Sequence, residues 1–344
     1  MKPHVLAQRQ HQRTRQRGAA LLMAMLTVAL VTSLASAALW QQWRQVEIES
    51  AERGRSQTAW MLTGALDWTR LILREDAVSA QGVGVDHLGE PWALPVQESK
   101  LSTFLSQDQQ WREGDAEVFL SGQITDAQSR MNVMNLIENG QIAPQSLARF
   151  AALFDRLGLP QSELLVMAQQ LQAAVQAKPS AATGTASGAS ATSTSASGNA
   201  APLLPQQTAQ LVWLGLSPRS LAALQDHITV LPEATPINLN TASAEVLSAS
   251  LRGLDLSSAR QAVDLRQRGH WTSLDAARQA LGPAGQQLND KQHSVQSRYF
   301  EVNGRMRIDQ VVQQEQILLR REGRVVSMVW RVKRPQQRLD TPLQ

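Results

Sequence analysis

The chain carries six histidines, at positions 4, 11, 87, 227, 270 and 293, and no cysteine. No two of these histidines stand at ligand spacing, so a zinc or iron centre is not predicted, and without thiols there is neither a thiolate nucleophile nor a disulfide framework. A Gly-rich phosphate loop and a Gly-x-Ser-x-Gly elbow are missing as well. Asp126 and Asp255 offer oxygen donors, yet both stand where turn formers and helix caps are expected. The bond with the most distinctive context is the peptide bond between Gly18 and Ala19, which joins a basic segment to an apolar run. With no catalytic constellation in the sequence, an enzyme is not expected.

Charge supports that division. Lys2, Arg9, Arg13, Arg15 and Arg17 precede Ala19 with no acid among them, and removing these five cations takes the formal net charge from +4 to −1. A basic footprint suited to nucleic acid is therefore confined to the leader, and no nucleic-acid partner is expected.

From Ala19 to Leu39 there are 21 residues without a charge, about 32 Å as an α-helix and long enough to cross a bilayer's hydrocarbon layer. The cations before this span and Glu47, Glu49 and Glu52 after it place the N-terminus in the cytoplasm and the body in the periplasm. Ala35-Ser36-Ala37 could serve as a signal-peptide cut, which a secreted enzyme would require. Against that reading, no Gly or Pro occurs between Ala19 and Arg53, and Trp40, Trp43 and Val46 continue the apolar pattern, so one uninterrupted helix is expected. Small residues, among them Thr27, Thr32, Ser33 and Ser36, let neighbouring helices approach closely and keep the span only moderately hydrophobic.

Arg17-Gly18-Ala19-Ala20-Leu21-Leu22 resembles a type IV prepilin processing site. The resemblance implies cleavage between Gly18 and Ala19 and N-methylation of Ala19 by prepilin peptidase, leaving an assembly helix that carries Leu21, Leu22, Met23, Leu26 and Leu30. Most pilin-like chains have Glu at the fifth mature position, where it can neutralise the α-amino group of the subunit ahead. This chain has Met23. A subunit with no neighbour ahead lacks that amine, and in this respect the chain resembles the K family of type II secretion minor pseudopilins (general secretion pathway protein K).

Along the body, Gln41 to Asp76 reads as helix, with Trp60, Gly64, Asp67, Trp68 and Leu71 on one face, Leu62, Leu66 and Leu73 beside it, and Gly54 as a point of loosening. The tryptophans here are expected to pack under a sheet. Gly89-Glu90-Pro91-Trp92-Ala93-Leu94-Pro95 is a loop, residues 116 to 124 alternate as a half-buried strand, and helical patterning returns from Val133 to Ala177 with a break at Gly158-Leu159-Pro160. The Ser, Ala, Thr, Gly and Pro tract at 179–202 reads as a disordered linker. Strands are expected again at Tyr299–Ile308, Val311–Arg321 and Arg324–Val332, with a turn at Glu322-Gly323.

Pro236-Ile237-Asn238-Leu239-Asn240-Thr241-Ala242-Ser243-Ala244-Glu245-Val246-Leu247 is the most specific internal motif, and it resembles the SAM-like helical insert of the K pseudopilins. In it Thr241 or Ser243 can cap a helix whose Val246, Leu247 and Leu251 pack on Ala259, Val263 and Leu265. The stretch equally resembles a helix-hairpin-helix, and the rival reading is a membrane-tethered or periplasmic DNA-binding protein. A helix-hairpin-helix grips phosphate through backbone amides at a Gly-hydrophobic-Gly turn, whereas this chain has Gly253-Leu254-Asp255, with a carboxylate at the second glycine position.

The expected fold is α+β: a pilin-like long N-terminal helix packed on an antiparallel sheet, interrupted by a large all-α SAM-like insertion. The expected division is a leader at 1–18, the long helix at 19–77, an α/β head built from 78–130 and 291–344, and the insertion at 131–290. The family resemblance implies a minor pseudopilin at the pseudopilus tip, single-pass in the inner membrane, with minor pseudopilins I and J and prepilin peptidase as partners. It also implies calcium bound through head oxygens, to which Asp126 and Asp255 are the candidate contributors.

Overall fold

The computed structural model describes residues 12–77, 84–100, 118–177, 202–308, 311–334 and 337–338. The proposed linker at 179–202 and the first eleven residues of the leader lie, apart from Pro202, outside the described residues. The chain forms two compact units, residues 1–63 and 64–344.

The first unit is helical. Helix α1 (Gln12–Asp76) contains no proline, and it runs through both Gly18 and Gly54 without a break. Its Thr and Ser side chains turn inward on their own backbone: Thr27 Oγ1 donates to the Ala24 carbonyl at 2.9 Å, Thr32 Oγ1 to that of Val28 at 2.9 Å, and Ser36 Oγ to that of Thr32 at 2.8 Å. Such back-bonding satisfies hydroxyls that have no water to turn to in an apolar medium.

In the second unit the end of α1 lies on an antiparallel sheet. Its strands are β1 (Val96–Lys100), β2 (Val118–Asp126), β3 (Tyr299–Ile308), β4 (Val311–Glu322) and β5 (Val325–Lys333), in that spatial order, with the short β6 (Gln337–Arg338) also on β4. Alternation along β3 sends Phe300 and Val302 to one face, where Ile124, Ile317, Leu319, Leu66, Leu73 and Trp92 join them. Tyr299 points the other way, with Leu318, Ala127 and Leu231. The β4–β5 turn rests on Gly323, whose φ of 57° is readily adopted only without a Cβ.

Two expectations need correction here. Trp60 and Trp68 do not pack under the sheet; both are exposed, and the branched aliphatics Leu66 and Leu73 take the buried face instead. The physical reason is the 3.6-residue period, which puts Leu66 and Leu73 on one stripe and Trp68 and Leu71 on the opposite side of the helix. The stretch after Val133 is also not α-helical at first: a 3₁₀ turn (Val133–Leu136) leads into a two-residue hairpin around Asn139 and Gly140, with φ of 51° and 75°. Asn-Gly favours this positive-φ turn over a helix start.

Neighbouring strands β2 and β3 are separated in sequence by everything from Ala127 to Arg298. That stretch carries α2 (Pro144–Arg156), α3 (Gln161–Ala177), α4 (Pro218–Leu224), α5 (Ala244–Ser250), α6 (Leu256–Arg268) and α7 (Leu274–Ala280). Proline at the first helical position starts α2 and α4, where a missing N–H does no harm. Phe150, Leu153 and Phe154 of α2 and Leu164, Met167 and Leu171 of α3 share one core with Val246 and Leu247 of α5 and Ala259 of α6. Val263 is half-buried beside that core, but Leu265 faces solvent.

Candidate functional site

The residues offered for processing and assembly lie on α1. Gly18 is inside the helix rather than before it, and Ala19, Leu21, Leu22, Met23, Leu26 and Leu30 are all exposed. This stretch holds an 18-residue window of mean hydropathy 2.1, the one such helix among the described residues that is long and apolar enough to span a membrane. A wholly exposed apolar helix needs lipid or other helices around it.

At the opposite end of α1 the structure gathers a buried polar knot that ties the helix end, the sheet and the insertion together. Asp126, at the end of β2, is its centre. Oδ1 accepts from the Gln128 N–H at 2.7 Å, and Oδ2 accepts from Asn238 Nδ2 at 2.9 Å, Thr241 Oγ1 at 2.6 Å and Ser297 Oγ at 2.6 Å. Burial pushes the Asp126 carboxyl upward, while the donors from Ser297, Thr241, Gln128 and Asn238 favour the anion. Asn238 Nδ2 also donates to the Asp86 carbonyl, and Ser297 N–H donates to Asp86 Oδ2 at 2.7 Å.

Arg321 of β4 closes the knot. Its guanidinium donates to Asp76 Oδ2 at 2.7 Å and to the Ser297 carbonyl at 3.0 Å, pairs with Asp86, and lies over the Phe300 ring at 4.7 Å. Burial raises Asp86 to about 6 against the pull of Arg321. Glu90 is raised to about 7, again chiefly by burial, although its Oε2 accepts from Trp92 Nε1 at 2.7 Å and from the His87 N–H at 2.9 Å.

The insertion motif supplies the other half of this junction. Besides Asn238 and Thr241, its Asn240 pins the Trp271 backbone from both sides, with Trp271 N–H to Oδ1 at 2.9 Å and Nδ2 to the Trp271 carbonyl at 3.0 Å. Buried Arg266 donates to the Leu239 and Ala242 carbonyls. Ser243 is the cap of α5, accepting from the Val246 N–H, which leaves Thr241 free for Asp126.

Asp126 and Asp255 do not serve as a calcium pair. Asp126 is saturated by its donors, and Asp255 caps α6 by accepting from the Ser258 N–H at 2.7 Å and from Ser257 Oγ. Three other carboxylates, on Asp76, Asp86 and Glu90, bring oxygens within 4.8 Å of one another. The guanidinium of Arg321 already bridges Asp76 and Asp86, so these residues do not form an open oxygen cage for calcium. The same Asp255 cap bears on phosphate binding: its carboxylate holds a first-turn amide of the kind a phosphate would need.

Sequence reasoning pointed to Asp126, Asn238 and Thr241 but missed Asp86, Ser297 and Arg321. Each of those three sits in an unremarkable local pattern. Only the pairing of strands 170 and more residues apart reveals them, as in the Ser297–Asp126 bond.

Comparison with known proteins now adds to this geometry. Residues 129–233 and 237–296 match two profiles described as Type II secretion system (T2SS), protein K. The chain is 29% identical over 297 residues to the type II secretion system protein K of Pseudomonas aeruginosa, covering 83% of each chain. It is 27% identical over 338 residues to that of Pectobacterium carotovorum subsp. carotovorum, covering 93% of this chain and 97% of the relative. In fold it is similar to a crystal structure titled as the GspK-GspI-GspJ complex of the enterotoxigenic Escherichia coli type 2 secretion system, with a TM-score of 0.57, 17% identity, and 83% of this chain and 98% of that chain covered. Across the insertion, which both profiles match, and over most of the chain's length in the two relatives, the chain is similar to the type II secretion system protein K family.

Proposed function

We propose that this chain is a minor pseudopilin at the tip of the type II secretion pseudopilus, where it initiates or caps assembly with other minor pseudopilins for export across the outer membrane. The observation that carries the reading is similarity to protein K over nearly the whole length, apolar N-terminal helix included. The partners are the minor pseudopilins I and J, by analogy with the complex whose structure this fold resembles. The family is a structural component of the secretion system, and the work expected of this chain is non-covalent. The apolar surface of Leu21, Leu22, Met23, Leu26 and Leu30 leaves lipid to pack against sister helices. Met23 in place of an acid suits a subunit with no α-amino group ahead of it to neutralise, and the large insertion makes the head too wide to repeat along a filament.

In this reading prepilin peptidase cuts after Gly18 and methylates Ala19, the N-terminus is cytoplasmic, and the head is periplasmic on a single inner-membrane span. Intact-mass and N-terminal measurement on chain isolated from cells with an active prepilin peptidase should give a mature protein starting at N-methylated Ala19. Blocking the cut by substituting Gly18 should retain the 18-residue leader and abolish secretion. A mature chain that starts at Ala38 would overturn the reading, because the assembly helix would be gone.

A further inference from the structure

The insertion meets the head a second time, outside the polar knot, through two histidines. His87, on the segment between α1 and β1, and His270, just past the end of α6, stack face to face. Their ring centroids are 3.8 Å apart and their planes lie 8° from parallel. His87 is half-buried and His270 is exposed, and both belong to the second unit.

A hydrogen bond fixes the protonation state of the first ring. The Gly89 N–H donates to His87 Nδ1 at 3.1 Å, so Nδ1 carries no proton and the neutral imidazole keeps its own on Nε2. Any further proton has only Nδ1 to occupy. There it would meet the Gly89 N–H donor to donor, and the ring would become a cation. Neutral rings gain from stacking, whereas two imidazolium rings in this position repel. A proton on His87 therefore breaks the Gly89 bond, and a second on His270 turns the stack from attraction to repulsion.

The surroundings favour the neutral pair. Burial first, and then His270, lower the pKa of His87, while Asp76 at the end of α1 pulls the other way. The remaining charges on the neighbouring elements have their own work. Arg321 of β4 bridges Asp76 and Asp86, Glu90 accepts from the His87 N–H and Trp92 Nε1, and Arg268 stands in the last turn of α6. With His87 lowered in the folded chain, the unfolded chain binds more protons just below the ordinary histidine value of about 6.5. The stabilisation from the stack is thus complete above that value and is lost as pH falls. Asp86 and Glu90, raised to about 6 and about 7, titrate with the opposite sign.

We infer that the His87–His270 stack is a pH-sensitive latch: with both rings neutral it holds the Gly269–Trp271 corner of the insertion on the head segment around Gly89, and protonation releases that corner. The hydrogen bonds from Asn238 and Thr241 to Asp126 keep the rest of the insertion attached. The junction then has one fixed contact and one that follows the acidity outside.

The chain has no cysteine, so spin labels can be attached through L88C and T272C at two exposed positions beside the stack. In the full-length chain in mild detergent, the distance between labels should be narrowly distributed at about pH 7.5 and should lengthen and broaden at about pH 5, across the range where histidine changes charge. Adding H87F/H270F, which keeps two rings to stack and removes every titrating nitrogen, should leave the narrow distribution at both pH values. Adding E90Q should leave the response intact, because Glu90 is not the titrating group. Melting profiles at the higher pH check that each variant is folded, and the arm with both histidines present needs no substitution in the stack. A narrow distance at the lower pH in that arm, an opening that persists in H87F/H270F, or a response abolished by E90Q overturns the latch.

Discussion

Replacing Asp126 with alanine is expected to destabilise the head by about 3–5 kcal/mol, because the substitution strands several buried donors around a removed charge. Gln128 N–H, Asn238 Nδ2, Thr241 Oγ1 and Ser297 Oγ all aim at this carboxylate, which is itself buried. The comparison with asparagine makes the expectation specific. An amide can keep its oxygen at the Oδ2 position, where three donors converge, and place its NH₂ toward the single donor on Oδ1. The D126N loss should therefore be smaller, about 1–2 kcal/mol. Urea unfolding of the purified chain gives both values. Equal losses for the two variants would mean that the negative charge of Asp126 carries the whole effect, and that a neutral oxygen at the Oδ2 position recovers nothing from the three donors that converge there.

The second large effect is predicted at Arg321. Converting it to methionine keeps the contact with Phe300 but leaves Asp76 and Asp86 without the guanidinium that bridges them. Removing one member of a buried ion pair typically costs about 3–5 kcal/mol. The pH dependence identifies the cause. Burial already holds Asp86 at about 6 against Arg321, so without the cation its value moves higher. Between the ordinary carboxylate value near 4 and that raised value the folded chain binds more protons than the unfolded chain, so stability falls as pH rises through this window. The R321M deficit should accordingly be greatest above about pH 7 and shrink toward pH 5, as Asp86 takes up a proton and no longer needs a counter-charge. A deficit that stays constant from pH 5 to 8 would assign the loss to packing alone.

Much of the architecture was legible because it rests on local periodicity and on turn chemistry. The strands at Tyr299–Ile308, Val311–Glu322 and Val325–Lys333 follow the expected alternation to within a residue or two, with Gly323 at the turn. The break at Gly158 and Pro160 separates α2 from α3, and Ser243 caps α5. The side of α1 that would be buried was less legible. Trp68 and Leu66 are both apolar and two positions apart, about 200° around the helix, and a hydrophobic pattern alone does not say which of two opposed stripes the sheet will cover.

The sequence by itself determined the leader charge, the uncharged run from Ala19 to Leu39, the helix and strand periods and the resemblance to protein K, since each depends on residues close along the chain. Tertiary structure alone decided that Asp126 is a hub rather than a cation ligand, that Arg321 reaches Asp76 and Asp86, and that Trp68 faces outward. These contacts join positions up to 245 residues apart. Which donor meets which carboxylate is set by how the sheet closes around the insertion, and no local spacing encodes that.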